Sequence, residues 1–223
     1  MSQYVAPHYS HIVHDINSRG GITIYFANRG HQGDAGERHF DTVMPRSGVL
    51  LHEFHTVDAD DAHPLSPAHN GLRSAAADYE TVVLPAGYYG SVSSTADELP
   101  SFHPSELLAL MPKSKHHVTE PALERYQALQ RIRELRAGVG SLAWLAALSE
   151  QRGFKGKPVV LWGRTHSASL PSVYDRVGIQ SVEAVDLDAP HRYSYLQPHG
   201  MSWGEDDIQN VFAATYRHAK TVI

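Results

Sequence analysis

The sequence predicts one α/β domain over residues 1–223, a mostly parallel central sheet flanked by helices and carrying an antiparallel hairpin insertion. Three observations predict it. Ile22–Phe26 in "GITIYFAN" and Val159–Trp162 in "KPVVLWG" are near-continuous apolar runs, as expected of strands covered on both faces. Helical spacing dominates the chain between residues 101 and 153. After Trp162 a short helical segment and another strand-like run follow, an order that calls for a right-handed parallel crossover.

The individual elements follow from local chemistry. The first strand ends at Asn28, and "NRGHQGDAGE" is a glycine-punctuated loop. "HFDTVMP" and "GVLLHEFHTV" are read as the two strands of the hairpin, joined through "PRSG" with Pro45 and Gly48 at the first and last turn positions. Residues 58–80 are rich in Asp, Ala, Pro and His and are expected to form a long loop, alone or around a short helix. "TVVLPAGYYGS" supplies a strand ended by Pro85 and Gly87.

Three helices are then expected. "SFHPSELLALMPK" carries Ser101 as cap and Pro104 near its first turn. "TEPALERYQALQRIRELRAG" places Leu123, Tyr126, Leu129, Ile132 and Leu135 on one stripe. "SLAWLAALSEQRG" stops at Gly153, as a left-handed cap would stop it. Beyond the "KPVVLWG" strand, "SLPSVYDRVGI" reads as a helix and "QSVEAVDLD" as a strand. "GEDDIQNVFAATYRHAK" closes the chain as a helix with acids in its first turn and bases in its last.

Composition narrows the function classes. The formal net charge is -5 with acids and bases interspersed, which gives no basic footprint for nucleic acid or an anionic membrane. The absence of cysteine rules out disulfides, thiolate metal sites and a cysteine nucleophile. The start "MSQYVAPHYSHIVHDINSRGG" lacks a basic region followed by an apolar run, so a Sec-type signal is not expected. No apolar stretch approaches the ~20 residues that span a bilayer. The expected location is the cytosol, or outside the cell by a signal-less route. Neither a cofactor nor a nucleic-acid partner is expected; the partner is an unidentified protein or small molecule, and the oligomeric state is open.

Sites in open parallel sheets form outside the carboxyl ends of strands. Here the two apolar strands end in "NRGHQGD" and "GRTHS". If they are neighbours, His31 faces the Thr165–Ser167 turn, the arrangement of a nucleophile beside a base. Ser167 or Thr165 is then the candidate nucleophile, His31 or His166 the base, and Asp34 the residue that orients His31. Arg29, Gly30, Gly33, Trp162, Gly163 and Arg164 are the candidate binding residues around them. The G-x-S-x-G elbow of α/β-hydrolases is absent around Ser167.

Two other readings compete. Sixteen histidines allow a zinc or iron site built from His31, His39 and Asp34 with His63, His69 or His166. His52 and His55 would point to opposite faces of a strand and cannot share a metal. Tyr88, Tyr89, Tyr193, Tyr195 and Trp203 in loop-like segments instead suit a recognition surface.

Read in order, "RGHQGD", "DTVMPRSGVLLHEF", "DYETVVLPAG", "PSELLALMP" and "VVLWGRTHS" resemble the bacterial Stv adhesin domain family over residues 22–167. The resemblance implies a bacterial effector or toxin-associated module, secreted and linked to virulence, with His31 and the 163–167 turn at its pocket. It also marks a departure. Where the family motif places a cysteine after its Trp strand, this chain has Thr165, so a hydrolase here would work without a thiol.

Overall fold

The structure, a computed structural model, describes residues 7–27, 41–53, 76–85, 120–188 and 203–223. In chain order these form α1 (Ser10–Ser18), β1 (Ile22–Ala27), β2 (Val49–His52), β3 (Val82–Pro85), α2 (Glu120–Gln151), β4 (Val159–Gly163), α3 (Leu170–Arg176), β5 (Val182–Asp186) and α4 (Glu205–Val222). A 3₁₀ turn over Arg164–His166 leads out of β4.

The strands make one sheet in the order β3-β2-β4-β1-β5, and every pairing is parallel. The two strands read as buried from their composition are neighbours, in register from Thr23 opposite Val159 to Ala27 opposite Gly163. Alternation sorts their side chains. Ile22, Ile24, Phe26, Val49, Leu51, Val160 and Trp162 face a core covered by α1, α2, α3 and α4. Ala27, Leu50, Val159 and Leu161 face the other way, onto Val43, Met44 and Ala76.

The segment read as the first strand of a hairpin is different. Residues 41–43 form a helical turn, and β2 pairs in parallel with β3 and β4. The turn itself is present: Gly48 N donates to Pro45 O at 3.3 Å, and Ser47 takes a positive φ of 52°. Ser47 N is tied to Tyr79 O at 2.9 Å, and the Thr81 hydroxyl bonds Pro45 O. The turn therefore feeds a helical segment into a parallel strand, because Val43 and Met44 bury themselves under the sheet rather than beside β2.

Two expected helices are one. α2 runs unbroken through Gly138 and Gly140. A Cβ at Gly138 would sit 2.5 Å from Val173 Cγ1, so the missing side chain is what lets α3 approach. Residues 137–148 of α2 are all buried, and that apolar contact offsets the ~1 kcal/mol helix penalty of each glycine. Gly153, with φ 69°, ends the helical run as expected. The N-terminal helix α1 carries only Ile12, Val13 and Ile16 as a buried stripe; nine residues dominated by His and β-branched types give too short a period to read. The helix expected in "SFHPSELLALMPK" lies outside the described residues, as do residues 58–75 of the expected long loop.

The connections set the position of a site. From β1 the chain moves to β2 and then β3 on one side, whereas from β3 through α2 to β4 and through α3 to β5 it moves the opposite way. Right-handed crossovers running in opposite directions must lie on opposite faces. The two packed clusters show that division. The switch point therefore falls between the carboxyl ends of β1 and β4, where open α/β sheets hold their ligands. No helix among the described residues is long and apolar enough to cross a membrane.

Candidate functional site

Ala27 and Gly163 close the two strands side by side at this point. The chain after Gly163 turns at once into the 3₁₀ segment, with Ser167 N donating to Arg164 O at 3.0 Å and Ser169 N to His166 O at 3.2 Å. Arg164 leaves the turn sideways. Its guanidinium bonds Asp186 Oδ2 at 2.9 Å and the carbonyl of Asp188, which ties the turn to the end of β5. Ser167 is half-buried on the same turn, Thr165 is its middle residue, and Trp162 is buried beneath it.

His166 points inward and is 1% exposed. Its Nδ1 lies 2.7 Å from Glu134 Oε1, which also accepts the Ser169 hydroxyl at 2.6 Å. Its Nε2 lies 3.5 Å from Arg133 Nη1. A carboxylate only accepts and a guanidinium only donates, so the fitting tautomer is neutral imidazole with its hydrogen on Nδ1. The ring stands edge-on to Trp162 with centroids 5.7 Å apart, and the Arg133 guanidinium lies 5.7 Å from the same indole.

The chain of contacts continues to β2. Arg133 Nη2 bonds Glu53 Oε1, and Glu53 Oε2 accepts the backbone N–H of Gly163 at 2.8 Å. Glu53 follows β2 with the parity of Val49 and Leu51, which aims it at α2. Arg133 and Glu134 lie where α2 becomes buried on all sides, so their charges must find partners inside the core. One turn further along α2, burial pulls the Arg136 guanidinium below its usual range. Glu134 Oε2 and Trp162 Nε1 are buried without a hydrogen-bond partner among the described residues.

The structure thus gathers Trp162, Gly163, His166 and Ser167 at one strand end and sends Arg164 towards β5. His31, Asp34, Arg29, Gly30 and Gly33 lie outside the described residues, as do His39, His63 and His69. Among the described residues no group of three or more His, Asp or Glu converges as a metal set. Sequence reasoning missed Glu53, Arg133, Glu134 and Ser169. A signal existed for two of them: in "RIRELRAG" the charges stand beside Ile132 and Leu135 of the apolar stripe, at the entry to a mostly apolar helix half.

Comparison with known proteins finds no matching family model, no matching curated protein and no matching solved structure.

Proposed function

We propose that this chain is an α/β domain of the bacterial effector or host-interaction type that binds a protein segment or small molecule over the carboxyl ends of β1 and β4, without a nucleophile activated by His166. The observation that carries the reading is the commitment of the groups nearest the switch point. His166 faces Glu134 with one nitrogen and Arg133 with the other, and Gly163 donates its N–H to Glu53. A general base needs a nitrogen within reach of the proton it takes, and an oxyanion hole needs donors aimed at the reacting oxygen. These groups instead brace the turn, as a supporting shell braces a binding site. The effector assignment rests on the resemblance of residues 22–167 to the Stv domains, and it places the protein in the bacterial cytoplasm or outside the cell by a signal-less route.

A Ser/Thr–His hydrolase or acyl transferase is the second reading. It is favoured by the pairing of Ala27 with Gly163, which starts the segments carrying His31 and Ser167 from adjacent strand ends. There His31, oriented by Asp34, is the base and Ser167 or Thr165 the nucleophile.

Fluorophosphonate labelling separates the two. The binding reading expects no labelling of the wild-type protein. Labelling that is lost in His31→Ala and in Ser167→Ala or Thr165→Val establishes the hydrolase and overturns the binding reading. A thermal-shift screen of small molecules and peptides supplies the positive arm, with hits expected to lose their effect in Ser167→Arg.

A further inference from the structure

We propose that β5 is a docking edge for a second copy of this chain, and that two β5 strands pair antiparallel about a twofold axis at Ala184, joining two sheets into one. The inference is independent of the proposed ligand site, which lies between β1 and β4.

The backbone of β5 sorts into two sets. Ile22 N donates to Ser181 O at 2.9 Å, and Leu187 N donates to Phe26 O at 2.8 Å. Between these bonds a parallel ladder alternates, so Glu183 and Val185 also turn their backbone groups towards β1. Val182, Ala184 and Asp186 therefore aim their N–H and C=O groups the other way. β5 is the last strand of the sheet, and those groups have no backbone partner among the described residues. Glu183, Ala184 and Asp186 are exposed.

The opposite edge is built differently. At β3, Val82 N bonds Gly48 O at 3.0 Å, so by the same alternation Val83 and Pro85 point outward. Pro85 has no N–H to offer. Proline and charge are common guards of an exposed edge. β5 has no proline, and both of its carboxylates are drawn back over the sheet. Glu183 accepts the Thr23 hydroxyl and Lys157 Nζ, each at 3.0 Å, and Asp186 accepts Arg164 Nη2 at 2.9 Å. The charges that would repel another strand are thus answered within the chain.

The partner follows from symmetry. Because the outward residues are centred on Ala184, an antiparallel copy sets Ala184 against Ala184 and Val182 against Asp186, each pair exchanging two hydrogen bonds. Glu183 falls opposite Val185. Like charges directly opposite destabilise a sheet, and this register has none. The small Ala184 side chain sits on the axis. A twofold contact also closes on itself, whereas β5 pairing with β3 of the next copy would be head-to-tail and open-ended. The contact is short, of the size that gives a reversible dimer.

Sedimentation velocity of the whole protein from roughly 10 µM to 1 mM tests this. The wild-type protein is expected to pass from monomer to dimer over that range. Ala184→Pro removes the N–H on the axis at an edge position that tolerates proline, and it is expected to remain a monomer. Should it not fold, Ala184→Lys and Ala184→Glu decide, since both place a charge at an exposed site. Each alone is expected to weaken the dimer by roughly fivefold, and an equimolar mixture is expected to restore it, because opposite charges then meet on the axis. A wild-type protein that is monomeric throughout overturns the proposal and leaves the edge to an extended segment of a different protein. Dimerisation unchanged in Ala184→Pro overturns it too, as does a mixture of the Lys and Glu variants that associates no better than either alone.

Discussion

Glu53 holds Gly163 by its backbone amide at 2.8 Å, across 110 residues of chain, and with its other oxygen it holds Arg133. One carboxylate therefore joins the end of β2, the end of β4 and the middle of α2. Removing it as Glu53→Ala deprives a buried guanidinium and a buried amide of an acceptor at once. Breaking a buried pair in this way costs about 3–5 kcal/mol. Glu53→Leu combined with Arg133→Met removes both charges together and is expected to cost less than the two single changes summed. Urea unfolding of the four proteins measures the coupling; a value under ~0.5 kcal/mol would mean that the two residues act independently.

Gly138 and Gly140 make a matched pair on α2. Gly138→Ala drives a methyl to 2.5 Å from Val173 Cγ1, whereas at Gly140 the same methyl meets Thr215 at 3.8 Å, an ordinary contact. Alanine favours a helix over glycine by about 1 kcal/mol, so Gly140→Ala is expected to stabilise by up to that amount. Gly138→Ala is expected to destabilise by about 1–3 kcal/mol through overpacking. Adding Val173→Ala to Gly138→Ala should relieve the clash and leave less damage than the two changes summed. Thermal unfolding distinguishes these outcomes, and equal effects of the two alanines would refute the close approach of α3.

The legible parts of this chain were those governed by a single local rule. Ile22–Phe26 and Val159–Trp162 could be read as buried strands because parallel strands need apolar side chains on both faces, and the two are adjacent in the sheet, as the candidate site requires. Reading "HFDTVMP" as a strand gave too much weight to the turn at Pro45–Gly48, which is real but leads from a helical turn. Loop geometry fixes the bend, and only the packing of Val43 and Met44 under the sheet decides what precedes it. The break expected at Gly138 failed for a related reason: a glycine needed for close helix packing looks, in one dimension, like a glycine that ends a helix. Glu53 left no local trace, and Arg133 and Glu134 showed only as charges at the entry to the buried half of a helix, because the pairing of Arg133 with Glu53 spans 80 residues, which no local pattern encodes.

Glu150 sets part of the acid limb of stability. Burial pushes its carboxyl up, but hydrogen bonds from Tyr216 and from Lys220, with the Lys220 charge, outweigh it and hold the group below the usual range. Tyr216 donates to Oε1 at 2.5 Å and Lys220 to Oε2 at 3.0 Å, joining α2 to α4. A depressed carboxyl binds its proton less readily folded than unfolded. Its contribution is thus present above the unfolded value of about 4.3 and lost as pH falls through the folded one. Glu150→Gln is expected to be less stable than wild type at pH 7, with the gap narrowing on acidification. Denaturant midpoints measured from neutral pH into the acid range check this, and a gap that is constant with pH would exclude the linkage.

Tyr9 governs the opposite limb. Burial first, then the hydrogen bond to Glu205 and the Glu205 charge, push its phenol up to about 12 against a weaker opposing pull from Arg176. The hydroxyl donates to the two carboxylate oxygens at 2.8 and 3.0 Å, fastening the chain just before α1 to the first residue of α4. Because the folded state keeps the phenol protonated, the contribution is complete below the unfolded value of about 10 and is lost as pH rises from there towards 12. Tyr9→Phe removes that titration and should flatten the fall in stability over this interval, although not abolish it. Tyr174 remains: it is buried, burial pushes its phenol up despite the hydrogen bond with Ser141, and it is lost from the alkaline limb only in the Tyr9→Phe, Tyr174→Phe double variant. Denaturant unfolding at successive alkaline pH values reads the slope directly. An identical slope in wild type and Tyr9→Phe would show that folding does not hold the Tyr9 phenol in its protonated form.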